Sequence, residues 1–167
     1  MVFICVVLAL SLVSCDEKKV LESSKEDLTV VKTVGALDVP LEMYRYVALN
    51  TKSNYEYGNS ADIWLGESGQ ALLDELNADI DKTLVQIYTV PAICKEYGID
   101  INDQYVLDML EIKMDDIYES YGYDYKAYVD ELSEYNMNDS VYRFFIRNEI
   151  LADEIIAKMI QNGEVPG

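Results

Sequence analysis

Leu72-Leu73-Asp74-Glu75-Leu76-Asn77-Ala78-Asp79-Ile80-Asp81-Lys82-Thr83-Leu84-Val85-Gln86-Ile87 is the stretch that decides the fold. Leu72, Leu76, Ile80, Leu84 and Ile87 recur at three- and four-residue spacing, so they form one stripe on a helix. Acids, amides and a lysine fill most of the remaining face. The pattern predicts a helix over about Gln70–Tyr97. Pro91 should kink it, because proline lacks a backbone donor and crowds the preceding turn. Gly98 fits the C-terminal stop.

The pattern continues toward the C-terminus. Asn102 is a candidate N-cap for a helix carrying Val106, Leu110, Ile117 and Tyr121, which Gly122 ends. A shorter helix covers about Tyr125–Tyr135. Asn136 can take the left-handed stop conformation, with Met137 as its apolar contact. Asn138 caps a last helix over about Asp139–Gln161, with Val141, Phe145, Leu151, Ile155 and Met159 on its apolar side. Gly163 and Pro166 close it.

Toward the N-terminus, Asn59–Gly69 reads as a loop holding Trp64. Before it, a helix runs from Leu41 to near Tyr57-Gly58, marked by Met43, Tyr46, Val47 and Asn50. Leu28–Val34 is rich in β-branched residues and reads as a strand. Gly35–Asp38 supplies a turn, Val39 begins a second short strand, and Pro40 suits the helix entry. The expected fold of residues 28–167 is therefore mainly α, with about five helices behind a small N-terminal β-hairpin. No internal repeat is evident.

The first fifteen residues are of another kind. Met1 to Cys15 carries no charge, and Asp16-Glu17-Lys18-Lys19 follows at once. The run is too short to span a bilayer, which takes about 20 apolar residues, but it has the length of a signal-peptide core. Leu12-Val13-Ser14-Cys15 resembles the bacterial lipobox, which implies a diacylglycerol on the Cys15 sulfur and cleavage before it. The expected organisation is a signal over 1–15, a flexible tether over 16–27, and the helical domain. The expected location is outside the cytoplasm, lipid-anchored to the cell membrane. The basic residue that normally opens such a signal is missing.

Composition narrows the chemistry. The chain has 167 residues with 13 basic against 31 acidic ones, a net charge of −18. That balance argues against nucleic acid, whose phosphates need a basic surface. Histidine is absent, which removes the commonest general base and metal ligand and excludes Ser-His-Asp and Cys-His sites. Cys94, in Ala92-Ile93-Cys94, reads as a buried inert thiol.

Three clusters invite a closer reading. Asp100, Asn102, Gln104, Asp108 and Glu111 fall at calcium-loop positions, but Tyr105 stands where the sharp turn needs glycine. Glu111, Asp115, Asp116 and Glu119 share a helix without a nucleophile or partner base, which is the pattern of a solvated face. No catalytic residue, metal or cofactor is therefore expected. Tyrosine is more unusual: of 14, Tyr118, Tyr121, Tyr123, Tyr125 and Tyr128 crowd one helix junction. Tyrosine pairs a large contact area with a polar tip, which suits recognition; the competing reading divides the rings between core and rim.

The order of features resembles a known family. Val39-Pro40-Leu41-Glu42-Met43-Tyr44-Arg45-Tyr46, then Ala92 to Asn102, Tyr121-Gly122 and Asn136 to Arg143 are similar to the N-terminal chaperone domain of SurA-like and PrsA-like extracytoplasmic foldases, relatives of the trigger-factor module. The likeness covers roughly Val30 to Gly163 and rests on helix boundaries and aromatic positions. It implies an apolar cradle that holds unfolded or newly exported polypeptides. It implies chaperoning and not isomerase activity for these residues, because the parvulin domain of the family would begin where Gly167 stands; the chain is then either a truncated peptidyl-prolyl isomerase foldase or a stand-alone holding module. Tyr44, Trp64, Tyr118, Tyr121, Tyr125 and Tyr128 are the expected client contacts, and a second copy of the chain is a further expected partner. The alternative reading is an envelope lipoprotein that binds one specific protein.

Overall fold

The computed structural model describes residues 29–166. The signal, Cys15 and the tether lie outside these residues. Strands β1 (Val30–Val34) and β2 (Leu37–Pro40) precede helices α1 (Leu41–Glu56), α2 (Gly66–Ile87), α3 (Thr89–Glu96), α4 (Gln104–Ser120), α5 (Tyr125–Glu134) and α6 (Asp139–Gln161), with a 3-10 turn at Ala61–Trp64. The described chain is thus mainly helical behind a small antiparallel hairpin, as the periodicity predicts.

The hairpin pairs Val34 with Leu37 and Thr33 with Asp38, with an irregularity between Val30 and Lys32. Its second strand starts at Leu37, two residues before the expected Val39. The reason is the turn: Gly35 sits at φ +59, a left-handed position that lets two residues reverse the chain. A two-stranded hairpin is marginal alone. Here Val39 is fully buried, Lys32 pairs with Asp81 on α2, and the Leu41 N–H donates to the Thr29 carbonyl at 2.8 Å.

The expected helix over Gln70–Tyr97 is two helices, which raises the count from about five to six. Pro91 has no N–H to offer the Ile87 carbonyl, and the chain breaks at Tyr88 (φ −88, ψ 4). The orphaned oxygen is taken by Asn148 of α6, whose Nδ2 donates to it at 3.2 Å. α2 also starts earlier than expected, at Gly66. Gly69, read as the end of a loop, is helical and buried against the 3-10 turn. A Cβ there would lie 2.2 Å from the Trp64 carbonyl carbon and oxygen, so the close approach requires glycine. The cap of α4 is Asp103 rather than Asn102: Asp103 accepts from the Tyr105 N–H at 2.9 Å, while Asp100 accepts from the Asn102 N–H at the same distance.

Other boundaries fall where the sequence places them. Asn138 caps α6 by accepting from the Val141 N–H at 2.9 Å. Asn136 adopts φ +57, and the Met137 N–H reaches back to the Leu132 carbonyl at 3.0 Å, with Met137 packed against both apolar clusters.

Those clusters organise the molecule. One joins Val39, Met43, Val47, Leu76, Ile80, Leu84, Tyr88 and Val141, from β2, α1, α2 and the start of α6. The other draws Cys94, Val106, Met114, Tyr128, Leu132 and Leu151, among others, from α3 to α6. Helix α6 enters both.

If Asn148 stands in for the donor that Pro91 lacks, Asn148→Leu should cost about 1–3 kcal/mol in the native chain. In a Pro91→Ala background, where the backbone regains an N–H, the cost should shrink. Denaturant unfolding of the double-mutant cycle measures this coupling; additive losses would refute the substitution of side chain for backbone.

Candidate functional site

The junction of α4, α5 and α6 gathers the tyrosines. Tyr128 is 1% exposed and meets the rings of Tyr118, Tyr121, Tyr125 and Tyr142 with centroids 5.1–6.1 Å apart. Most of these contacts are edge-to-face, the favoured geometry for aromatic pairs. Asp139, in the first turn of α6, accepts at Oδ1 from the hydroxyls of Tyr128 at 2.8 Å and Tyr118 at 3.0 Å. Its Oδ2 accepts from Arg143 Nε at 3.0 Å. Arg143 also donates to Glu111 at 2.7 Å and to the Tyr118 hydroxyl at 3.2 Å. Burial raises the phenol pKa of Tyr128, Tyr118 and Tyr125, and the bond to Asp139 adds to the rise at Tyr128.

The six expected contact residues are thereby placed. Tyr118, Tyr121, Tyr125 and Tyr128 come together. Tyr128 is in the core, Tyr118 and Tyr121 are half-buried, and Tyr125 is exposed. Tyr44 and Trp64 lie apart from them, half-buried against the other cluster. Trp64 donates from Nε1 to Glu56 at 2.8 Å and lies near the Tyr55 ring. Cys94 is fully buried, and burial pushes its thiol pKa up.

A groove of about 420 Å³ opens on the seam between the two apolar clusters. Met43, Tyr88 and Val141 come to it from one cluster, Leu110 and Leu151 from the other. Each of these is less than a tenth exposed. Leu37, Asp38, Ile101, Phe144 and Arg147 lie on the rim, and the charged side chains of Glu42 and Arg143 also line the groove. Glu42 is buried and accepts from Asn138 Nδ2 at 3.0 Å and from the Ser140 hydroxyl. This ties α1 to the N-terminus of α6, where the helix dipole favours a carboxylate.

The resemblance implied an apolar cradle but not the residues of this groove, because its lining comes from five elements and two connections. One signal was available. Phe144, Arg147, Asn148 and Leu151 fall at i, i+3, i+4 and i+7, so two polar side chains interrupt an apolar stripe. Asn148 holds the Ile87 carbonyl, and Arg147 faces the groove.

No group of three or more acids or cysteines among the described residues could hold a metal ion. No helix among them is long and apolar enough to cross a membrane. The chain matches no protein-family model, no curated protein and no solved structure.

The tyrosines give the fold an alkaline limit. Burial lifts the Tyr88 phenol to about 12 from an ordinary 10.0, and Tyr128 moves the same way. The unfolded chain releases these protons near 10.0, while the folded chain retains them. Their contribution is intact below that pH and is lost as pH rises toward 12. Thermal unfolding against pH should show the decline. Tyr128→Phe should cost about 1–2 kcal/mol at neutral pH and flatten part of the alkaline slope; an unchanged slope would refute the assignment.

Proposed function

We propose that the chain is a membrane-tethered, non-catalytic chaperone-like module that holds unfolded or newly exported polypeptides outside the cytoplasm. The SurA-like and PrsA-like kinship inferred from the sequence belongs to the same proposal, as do the lipid anchor on Cys15 and the cell-membrane location. The observation that carries the reading is the open apolar groove on the seam. Its walls are core side chains already fixed by packing, so a client segment gains apolar contact without ordering a loop. The acidic surface keeps protein and client in solution. Tyr125 and the half-buried rings of Tyr44, Trp64, Tyr118 and Tyr121 extend the contact surface beyond the groove, while Tyr128 supports it from within.

Binding of this kind is weak and promiscuous, and it uses no cofactor. A single tight envelope partner is the competing outcome, and a pull-down that returns one protein without general holding activity would favour it. The proposal predicts that the full chain, carrying Cys15→Ser so that it bears no lipid, slows aggregation of reduced or denatured clients at equimolar ratio. Leu37→Asp, which places a charge on the rim, should lose most of that effect in light scattering. No slowing across a range of clients would sink the proposal.

The anchor is tested separately. In the native host, the chain should fractionate with membranes and carry labelled fatty acid. Cys15→Ser should abolish the label; a label that persists would refute Cys15 as the attachment point.

A further inference from the structure

Arg147 is a charge in an unusual position. The chain carries 31 acids, yet among the described residues no ion pair involves Arg147. Its neighbour one turn earlier, Arg143, is paired with both Asp139 and Glu111. Arg147 is half-buried, lines the groove, and has its guanidinium carbon 5.7 Å from the centre of the Phe144 ring. A partly desolvated guanidinium without a carboxylate is costly, and a ring face offsets only part of that cost. Asp38 and Glu42 line the same groove, but neither forms an ion pair with Arg147, so a ligand carboxylate reaching the guanidinium would offset the rest.

We propose that the groove receives the carboxylate end of a polypeptide whose last residue is apolar. Arg147 would hold the carboxylate in paired N–H···O bonds. Met43, Tyr88, Leu110 and Leu151 would receive the last side chain. Asp38, on the same rim, would accept a backbone N–H. Asp38 distinguishes a peptide from a fatty acid: the peptide brings a donor to it, and the fatty acid brings none. The overall charge of −18 works against strongly acidic segments, so a single carboxylate beside apolar groups is the species the site favours. The choice of a peptide rests on the polypeptide-holding reading above and names which part of a client the groove selects.

The probes are the labelled pentapeptide Gly-Ser-Gly-Ala-Leu with a free carboxylate, its C-terminal amide, and decanoate as competitor. Fluorescence anisotropy with the full chain bearing Cys15→Ser should show the acid binding about tenfold or more tighter than the amide. Arg147→Gln should erase that difference, Arg147→Lys should keep part of it, and thermal melts should establish that both variants fold. Equal binding of acid and amide would overturn the proposal. Displacement by decanoate as potent as by unlabelled peptide would overturn the choice of a peptide. General holding activity without acid selectivity refutes this inference alone, and acid selectivity without holding activity refutes the chaperone reading alone.

Discussion

Everything in this fold depends on one helix serving two cores. Val141 of α6 packs with the hairpin, α1 and α2, while Ile146, Ile150, Leu151 and Ile155 pack with α3, α4 and α5. The start of the helix has to be fixed for both to form. Three polar residues there do it. Asn138 closes the first turn. Asp139 collects two tyrosine hydroxyls and an arginine. Glu42, from α1, collects Asn138 and Ser140. Two carboxylates at a helix N-terminus gain from its dipole, and each reaches a different part of the structure. One holds the tyrosine junction and the other holds α1. Removing a donor from Glu42 would leave a buried acceptor short of partners, which costs more than the bond itself contributes.

The same helix explains how polar side chains come to lie on an apolar stripe. Asn148 completes a hydrogen bond that Pro91 makes impossible for the backbone. It does so at some cost, since its own Oδ1 is buried without a partner. Breaking the long helix at Tyr88 lets Tyr88 and Cys94, only six residues apart, enter different clusters. Proline, asparagine and the divided core are thus one device.

The sequence made the helical face legible because period and burial agree. Leu76, Ile80 and Leu84 are buried as their spacing requires. Several local terminal signals were legible, since Asn136, Asn138 and Gly98 depend on neighbours within a turn, while the cap of α4 was displaced by one residue from Asn102 to Asp103. Gly69 was misread because its constraint comes from the backbone of Trp64, which folds back upon it. The break at Tyr88 was misread because Pro91 signals a kink, while the donor that lets the chain separate is 61 residues away. The tyrosines were legible as a cluster but not in their division between core and rim, which Asp139 and Arg143 set from another helix. An apolar cradle was expected from the resemblance, but the residues that line the groove were not legible, since a seam belongs to no single segment.

A seam between two cores differs from a cavity inside one. A cavity within one core is lined by side chains that share that core, and they relax into it as far as their packing allows. Here the walls are kept apart by elements that have other work. Met43 and Tyr88 are committed to the first core, and Leu110 and Leu151 to the second. Neither set can close the gap without leaving its own packing. The opening is therefore a consequence of the architecture and not of loose packing, and its floor is as rigid as the cores behind it. The rim is built partly from the hairpin and partly from α6. Leu37 and Asp38 belong to a hairpin of two short strands, anchored chiefly by Val39 beneath and Lys32 at the side. Under the proposed holding role, a floor fixed by two cores would set where a ligand's apolar part sits. Such a floor would give shape selectivity for the buried group, while Asp38 and Arg147 on the rim would act on the chain attached to it.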